Sequence, residues 1–143
     1  MKYNLVFYLA KKTSYCEKAV KRSLSSIDGE VYRITAATSP VTLGEEVSRS
    51  LRTCPLTVIV GGLSAQGDDN LSTVLSRVFS NSGLSLENMR RLSADGAEQG
   101  YIVRYKSQIL LALPDHPAMI EKLCSDELLG FIGEKLKPEK ETE

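Results

Sequence analysis

Short apolar runs alternate along this chain with segments in which apolar residues recur at helical spacing. The strongest run, 56–60, is mostly β-branched and is followed at once by Gly61 and Gly62, as is typical of a buried strand that ends in a tight turn. Similar runs at 5–9 and 109–113 indicate strands that are buried on both faces. This alternation predicts an α/β fold: a doubly wound, mostly parallel sheet in three layers, with helices on both faces.

Two helix starts are predicted from capping-box spacing, in which a hydroxyl and a carboxylate three residues later satisfy each other's backbone amides. One is Ser14 with Glu17, and the other is Thr42 with Glu45. A third helix is expected after residue 70, because apolar residues there follow the i, i+3, i+4, i+7 rule, and two further helices are expected after residue 118.

Further strands are predicted at 30–36 and at 101–105, the latter joined to 109–113 by a tight turn near Ser107. The polar stretch 87–100 contains a turn signal at Asp95-Gly96 and no clear helix or strand pattern. We expect one domain over 1–136 and a charged, disordered tail over 137–143.

The overall composition argues against several classes of protein. The 143 residues carry 18 basic and 18 acidic side chains, whereas nucleic-acid-binding proteins usually show a basic excess. No apolar run approaches the roughly 20 residues of a membrane span, and the first residues lack the pattern of a signal peptide. The three cysteines are widely spaced on apolar stripes, which favours core positions and a cytoplasmic location over disulfides or zinc.

Three loops are candidates for a ligand site, because open α/β sheets bind ligands beyond the carboxyl ends of their strands. They are the loop 11–13 with Lys11 and Lys12, the turn 61–69, and the loop 114–117. If the strands that precede them are parallel, all three loops lie on one rim of the sheet.

The turn 61–69 is the most informative of the three. Paired glycines let a ligand approach the backbone, and the following helix would offer amides to a phosphate. Asp68 and Asp69 would repel a phosphate unless Mg²⁺ bridged the two, so the set indicates Mg²⁺-assisted binding of a phosphate ester. The structural alternative is that Asp69 or Asn70 is an ordinary N-cap, and spacing alone favours it.

The loop 114–117 contains the only histidine of the chain, His116, between Pro114 and Pro117. A lone histidine between prolines is more typical of a loop residue than of a catalyst, and it cannot form a metal site alone. We expect Asp115 to cap the following helix, with Pro117 near its first position.

Two segments together resemble a known family. The strand that ends in Gly61-Gly62-Leu63-Ser64, with Asp68-Asp69 before an amphipathic helix, resembles the signature of the molybdopterin-binding superfamily. That superfamily includes the molybdopterin adenylyltransferases and the amino-terminal domain of the competence/damage-inducible proteins. The stretch 109–119 is similar to the strand of that family that leads into a Pro-Gly-x-Pro-Gly-type loop. The resemblance extends over about residues 3–135.

The resemblance implies a ligand and roles for the loops. The ligand would be a small molecule, either molybdopterin or an adenine nucleotide. The chain could also form a homo-oligomer. Asp69, with Asp68 beside it, would hold Mg²⁺ and serve in adenylyl transfer or in cleavage of a nucleotide pyrophosphate. The pocket would be lined by Gly61, Gly62, Leu63, Ser64, Pro114, Asp115, His116 and Pro117. Lys11-Lys12-Thr13 stands where the family has a glycine- and acid-bearing segment, and Lys11 and Lys12 could bind phosphate in compensation.

An alternative follows from the positions at which the chain departs from the family pattern. Asp115 and Ala118 replace glycines of the second loop, and Asn70-Leu71-Ser72 stands where the family has a threonine. The alternative is a non-catalytic relative that acts as a binding or oligomerisation module.

Overall fold

The computed structural model describes residues 1–63, 65, 67–81, 89–94, 97–105 and 107–136. Within these residues there are six strands: β1 (Lys2–Tyr8), β2 (Glu30–Ala37), β3 (Leu56–Val60), β4 (Met89–Ala94), β5 (Ala97–Tyr105) and β6 (Gln108–Leu113). The same described residues form five α-helices: α1 (Thr13–Leu24), α2 (Pro40–Thr53), α3 (Leu71–Asn81), α4 (Pro117–Leu123) and α5 (Asp126–Lys135). Short 3₁₀ turns lie at Ser25–Ile27 and Gly67–Asp69.

The strands form one sheet in the order β2-β1-β3-β6-β5-β4. β1 pairs in parallel with β2 and β3, and β3 pairs in parallel with β6, whereas β5 is antiparallel to both of its neighbours. The predicted mostly parallel sheet is therefore confirmed, and so is the tight hairpin around Ser107, which joins β5 to β6.

Two apolar cores lie on opposite faces of the sheet, which confirms the predicted three layers. One core packs α1, α4 and α5 against the sheet, and the other packs α2 and α3 against it. Consecutive residues of β3 show the division, because Val58 belongs to the first core and Ile59 to the second. All five residues of β3 are buried, as a strand covered on both faces requires.

Both predicted capping boxes are wrong. α1 begins at Thr13 with Lys12 at its N-cap, so Ser14 lies inside the helix, and Glu17 pairs with Lys21 instead.

α2 begins at Pro40, two residues before Thr42, because proline at the first helical position needs no hydrogen-bond acceptor and has a helical φ. Ser39 is its N-cap, and the Ser39 hydroxyl accepts from the Thr42 amide at 3.2 Å.

Several strands differ from their predicted limits, and one was missed. β5 begins at Ala97, four residues before its predicted start at Tyr101. β1 ends at Tyr8 rather than at Leu9, which has a φ of 52° and is 42% exposed. β4 lies within the polar stretch 87–100, for which no strand was predicted. Two of its six residues, Arg90 and Arg91, are charged, so the strand lacks the apolar alternation on which the prediction relied.

The remaining expectations concern the cysteines, membrane spans and the tail. Cys16, Cys54 and Cys124 are buried with free thiols, as predicted for core positions. In the part of the chain that the structure describes, each helix is too short or too polar to cross a bilayer. The predicted tail 137–143 and the turn signal Asp95-Gly96 lie outside the described residues.

Candidate functional site

The three candidate loops meet at one rim of the sheet, because they follow the parallel strands β1, β3 and β6. Between them lies an open cavity of about 710 Å³. The loops contribute to it Leu9, Lys11, Gly61, Gly62, Leu63, Pro114, Asp115 and His116. Lys12, Asp68, Asp69 and Pro117, which were predicted for the same site, are not part of its lining, and Ser64 lies outside the described residues.

Gly61 and Gly62 are required by the packing of the turn against Tyr8. Their φ angles are +103° and +76°, values that residues with a side chain rarely adopt. A Cβ at Gly61 would collide with the Tyr8 carbonyl oxygen, and a Cβ at Gly62 would collide with the Tyr8 ring. The glycines line the cavity, but their lack of a side chain is explained by the fold itself.

Asn70 closes the turn and starts α3. Its Oδ1 accepts from the Ser72 amide at 2.9 Å, and its Nδ2 donates to the carbonyl oxygens of Ala65 at 2.8 Å and Leu63 at 3.2 Å. These bonds confirm the structural alternative at this position, an N-cap, with Asn70 rather than Asp69 in that role. They also occupy one of the helix amides that the sequence offered to a phosphate.

Asp68 and Asp69 lie on the exposed 3₁₀ turn before α3. The Asp68 carboxylate accepts a hydrogen bond from Arg77 at 2.8 Å. Asp69 contributes its backbone carbonyl to the Tyr8 hydroxyl at 2.8 Å. Among the described residues no group of three or more acidic, histidine or cysteine side chains could hold a metal. A magnesium ion at these two carboxylates would take its other ligands from water or from a bound phosphate.

Asp115 bridges two of the loops instead of capping its own helix, which corrects the prediction. Its carboxylate accepts from the Lys11 amide at 2.7 Å and from the Lys12 amide at 3.1 Å. The Cys16 thiol donates to the same carboxylate at 3.5 Å.

These contacts explain the titration of both groups. Partial burial acts to raise the pKa of the Asp115 carboxyl, but the two amide donors, the Cys16 thiol and the charge of Lys12 together outweigh it, so the pKa lies below its ordinary value. Burial and the neighbouring Asp115 raise the pKa of the Cys16 thiol to about 12, which makes it a poor nucleophile.

His116 takes the capping role that was predicted for Asp115. Its Nδ1 accepts from the Met119 amide at 3.2 Å, and Pro117 stands at the first position of α4, as predicted. This bond fixes the ring at the start of the helix, and His116 also lines the cavity. The sequence favoured a loop residue at this position and did not predict that His116 caps the helix.

The fourth wall of the cavity was missed by sequence reasoning. It is formed by Asn70 and Ser72 at the start of α3, by Arg91 on β4, and by Gly100 and Tyr101 on β5. The Ser72 hydroxyl donates to the Tyr101 hydroxyl at 3.3 Å, and burial raises the pKa of Tyr101 to about 12. No short-range motif connects these residues, because Arg91 and Tyr101 face each other only through the pairing of β4 with β5.

Comparison with known proteins shows the fold but no sequence relative. No protein-family model and no curated protein matches the sequence.

Among solved structures, the chain is similar to the protein CinA, of unknown function, from Thermoplasma acidophilum, with 15% identity over 86% of this chain and 94% of that one, and a TM-score of 0.67. It is also similar to a structure of MogA, with 14% identity over 95% of this chain and 99% of that one, and a TM-score of 0.64.

A third similar structure is the molybdopterin biosynthesis enzyme MoaB from Thermus thermophilus, with 12% identity over 93% of this chain and 96% of that one, and a TM-score of 0.59. The chain therefore has the α/β fold of the CinA, MogA and MoaB structures, as the resemblance predicted. Structural similarity at sequence identities this low shows a shared fold but not a shared activity.

Proposed function

We propose that this chain binds a small phosphorylated ring compound, either molybdopterin or an adenine nucleotide, in the rim cavity. The observation that carries the proposal is the cavity itself, about 710 Å³, between the two loops that carry the family resemblance. Its size suits a ligand of this class, since small-molecule sites usually measure about 300–1,000 Å³. Its position beyond the carboxyl ends of parallel strands is the usual one in open α/β sheets.

The lining of the cavity suits a flat ring that carries an anionic group. Leu9, Leu63 and Pro114 offer apolar surface to a ring, and the exposed Lys11 and Arg91 bring positive charge. Phosphate sites in proteins commonly combine such cations with nearby hydroxyl donors. The MoaB structure of similar fold is described as a molybdopterin biosynthesis enzyme, which supports a pterin as one of the two ligands.

The proposal is tested by thermal unfolding with molybdopterin, AMP, ATP and ADP-ribose, each with and without Mg²⁺. A ligand at a hundred times its Kd stabilises the folded state by about 2.7 kcal/mol, so at least one of them should raise the Tm by several degrees. Lys11→Glu should reduce the rise, whereas Lys12→Glu, the same charge change outside the lining, should retain it. No rise with any of the four ligands would refute the proposal.

A second candidate adds catalysis to binding: Mg²⁺-dependent adenylyl transfer or pyrophosphate cleavage through Asp69 and Asp68. One observation favours it, since both carboxylates are exposed immediately before Asn70, which lines the cavity. Against it stands the ion pair of Asp68 with Arg77, which engages one of the two acids.

Turnover separates this candidate from a non-catalytic binding or oligomerisation module. The measurement is release of pyrophosphate or AMP from nucleotide substrates with Mg²⁺. Catalysis predicts turnover that Asp69→Asn abolishes and that Asp126→Asn, an exposed acid on α5, leaves intact. A non-catalytic module predicts no turnover in any of the three proteins, although ligand binding persists.

A further inference from the structure

Several backbone donors around the cavity are already engaged within the protein. Two amides donate to backbone carbonyls: Gly61 to Leu113, and Leu71 to Gly62. Four others donate to side chains: the Ser72 amide to Asn70, the Met119 amide to His116, and the Lys11 and Lys12 amides to Asp115. Phosphate sites often use amides at helix starts, and here the first amides of α3 and the approach to α1 are occupied. At these positions an anionic group must therefore rely on side chains.

The Asp115 carboxylate is the most consequential of these internal acceptors. It lies where the start of α1 would otherwise attract an anion, and its negative charge repels a second anion at that wall. The backbone amides of Lys11 and Lys12 are therefore unavailable to a phosphate, although the Lys11 side chain still lines the cavity.

Tyr101 offers a hydrogen-bond donor on the opposite wall. Its side chain is 4% exposed and lines the cavity, and its hydroxyl oxygen accepts from Ser72. With the Ser72 hydroxyl as the donor of that bond, the proton of the Tyr101 hydroxyl is not used in it. Because burial raises the pKa of Tyr101 to about 12, the group keeps this proton at neutral pH and can donate it to a ligand.

Arg91 lies directly across from Tyr101 in the pairing of β4 with β5. Its side chain is exposed and lines the same wall of the cavity. A guanidinium beside a hydroxyl donor is a common arrangement for binding phosphate oxygens, because several charge-assisted hydrogen bonds converge on one group.

We infer that the ligand of the proposed function carries a phosphate monoester, which Arg91 and Tyr101 bind on the β4–β5 wall while Asp115 excludes it from α1. This inference rests on the proposed function for the identity of the ring compound. It assigns a binding role to two residues outside both loops that resemble the family, and it gives Asp115 the role of setting the orientation of the ligand.

The test is an NMR titration of the ¹⁵N-labelled chain with inorganic phosphate. The amide signals of Ser72, Arg91 and Tyr101 should shift with saturation, whereas those of Lys11 and Lys12 should not move. Arg91→Met and Tyr101→Phe should each weaken phosphate binding about tenfold, as expected for losing a hydrogen bond to a charged group.

The matched control is Arg90→Met, which removes the same charge from the adjacent residue of β4. Arg90 packs over the Phe131 ring, 5.3 Å from its centroid, on the other face of the sheet. Its loss should leave phosphate affinity unchanged within about twofold. The ¹⁵N spectrum of each variant reports whether the fold is kept.

Three results would overturn the inference: no saturable response to phosphate, a response centred on Lys11 and Lys12, or equal weakening by the Arg90 and Arg91 variants. These outcomes are separable from a failure of the proposed function. If molybdopterin and the nucleotides do not bind but phosphate titrates at Tyr101, only the ring compound is wrong. If they bind equally well to wild type and to Arg91→Met, only the placement of phosphate is wrong.

Discussion

At the scale of single residues, Gly61 and Gly62 both line the cavity and pack against Tyr8. The sequence presented them as an opening for a ligand, and the structure shows that they also let Tyr8 pack beneath the turn. The Tyr8 hydroxyl then donates to the Asp69 carbonyl, so the turn is tied to β1 from below. The pair could be predicted to form a turn, but its partner could not, because Tyr8 lies more than 50 positions away in the sequence.

Replacing Gly62 with alanine should destabilise the protein more than replacing Gly67. Both glycines have positive φ angles, +76° and +61°, so both variants incur backbone strain of about 1–2 kcal/mol. Only Gly62→Ala adds a collision with the Tyr8 ring, and its total loss should be about 3 kcal/mol or more. Chemical denaturation measures both losses, and equal losses would show that Tyr8 does not constrain the turn.

Asp115 shows what sequence reasoning misses at this scale. Its position before a helix predicted a local cap, whereas its carboxylate binds amides about 100 positions earlier in the chain, Lys11 and Lys12. Nearby residues predict local caps well, but a contact across the sheet depends on the fold that brings the two loops together.

Asp115→Asn should lower stability at neutral pH and lose that effect in acid. The folded-state pKa of Asp115 lies below its ordinary value of 3.8, so its contribution is fully present above that value and is lost as the pH falls through the folded-state pKa. The difference in unfolding free energy between wild type and variant should therefore be largest near pH 7 and shrink below about pH 4. Urea denaturation across this range measures it, and parallel curves would contradict the role of the charge.

At the scale of elements, the apolar pattern predicted most strands and all five helices. β3 was evident because it is β-branched, apolar and ended by glycines, and the structure buries all of it. β4 was missed because arginines at positions 90 and 91 precede its buried residue Leu92 and interrupt the apolar pattern. β4 lies at the edge of the sheet, where it pairs with β5, and its apolar contacts include those of Leu92 and Met89 with the two cores.

The start of α2 provides a test of the corrected cap. Ser39→Ala should destabilise the protein by about 1 kcal/mol, because it removes the acceptor for the Thr42 amide. Thr42→Ala should cost less, since that backbone bond is retained and alanine favours the helix. Thermal or urea unfolding compares them, and a larger loss for Thr42→Ala would support the capping box that the sequence predicted.

At the scale of the whole molecule, the parallel order of β1, β3 and β6 is what creates the candidate site. It brings three loops, which are about 50 residues apart in the chain, to one rim around a single cavity. The sequence predicted this convergence from the alternation of strands and helices. It did not predict the wall of α3, β4 and β5, because that wall depends on an antiparallel pairing beyond β6.

The fold of this chain is shown by its similarity to known structures, but its ligand is not. The CinA, MogA and MoaB structures share this architecture at identities of 12–15%, so the ligand of this chain has to be established on the chain itself. Asp68 and Asp69 lie outside the cavity lining, which makes binding the property to test first.

The most direct measurement is an NMR titration of the ¹⁵N-labelled chain with molybdopterin, AMP, ATP and ADP-ribose. The account predicts that at least one ligand shifts the amide signals of Lys11, Gly61, Gly62 and His116 together, with one common affinity, since these residues surround one cavity. Signals near the exposed Val41 at the start of α2, on another surface, should stay unchanged. Shifts confined to other surfaces, or none with any of the four, would contradict it.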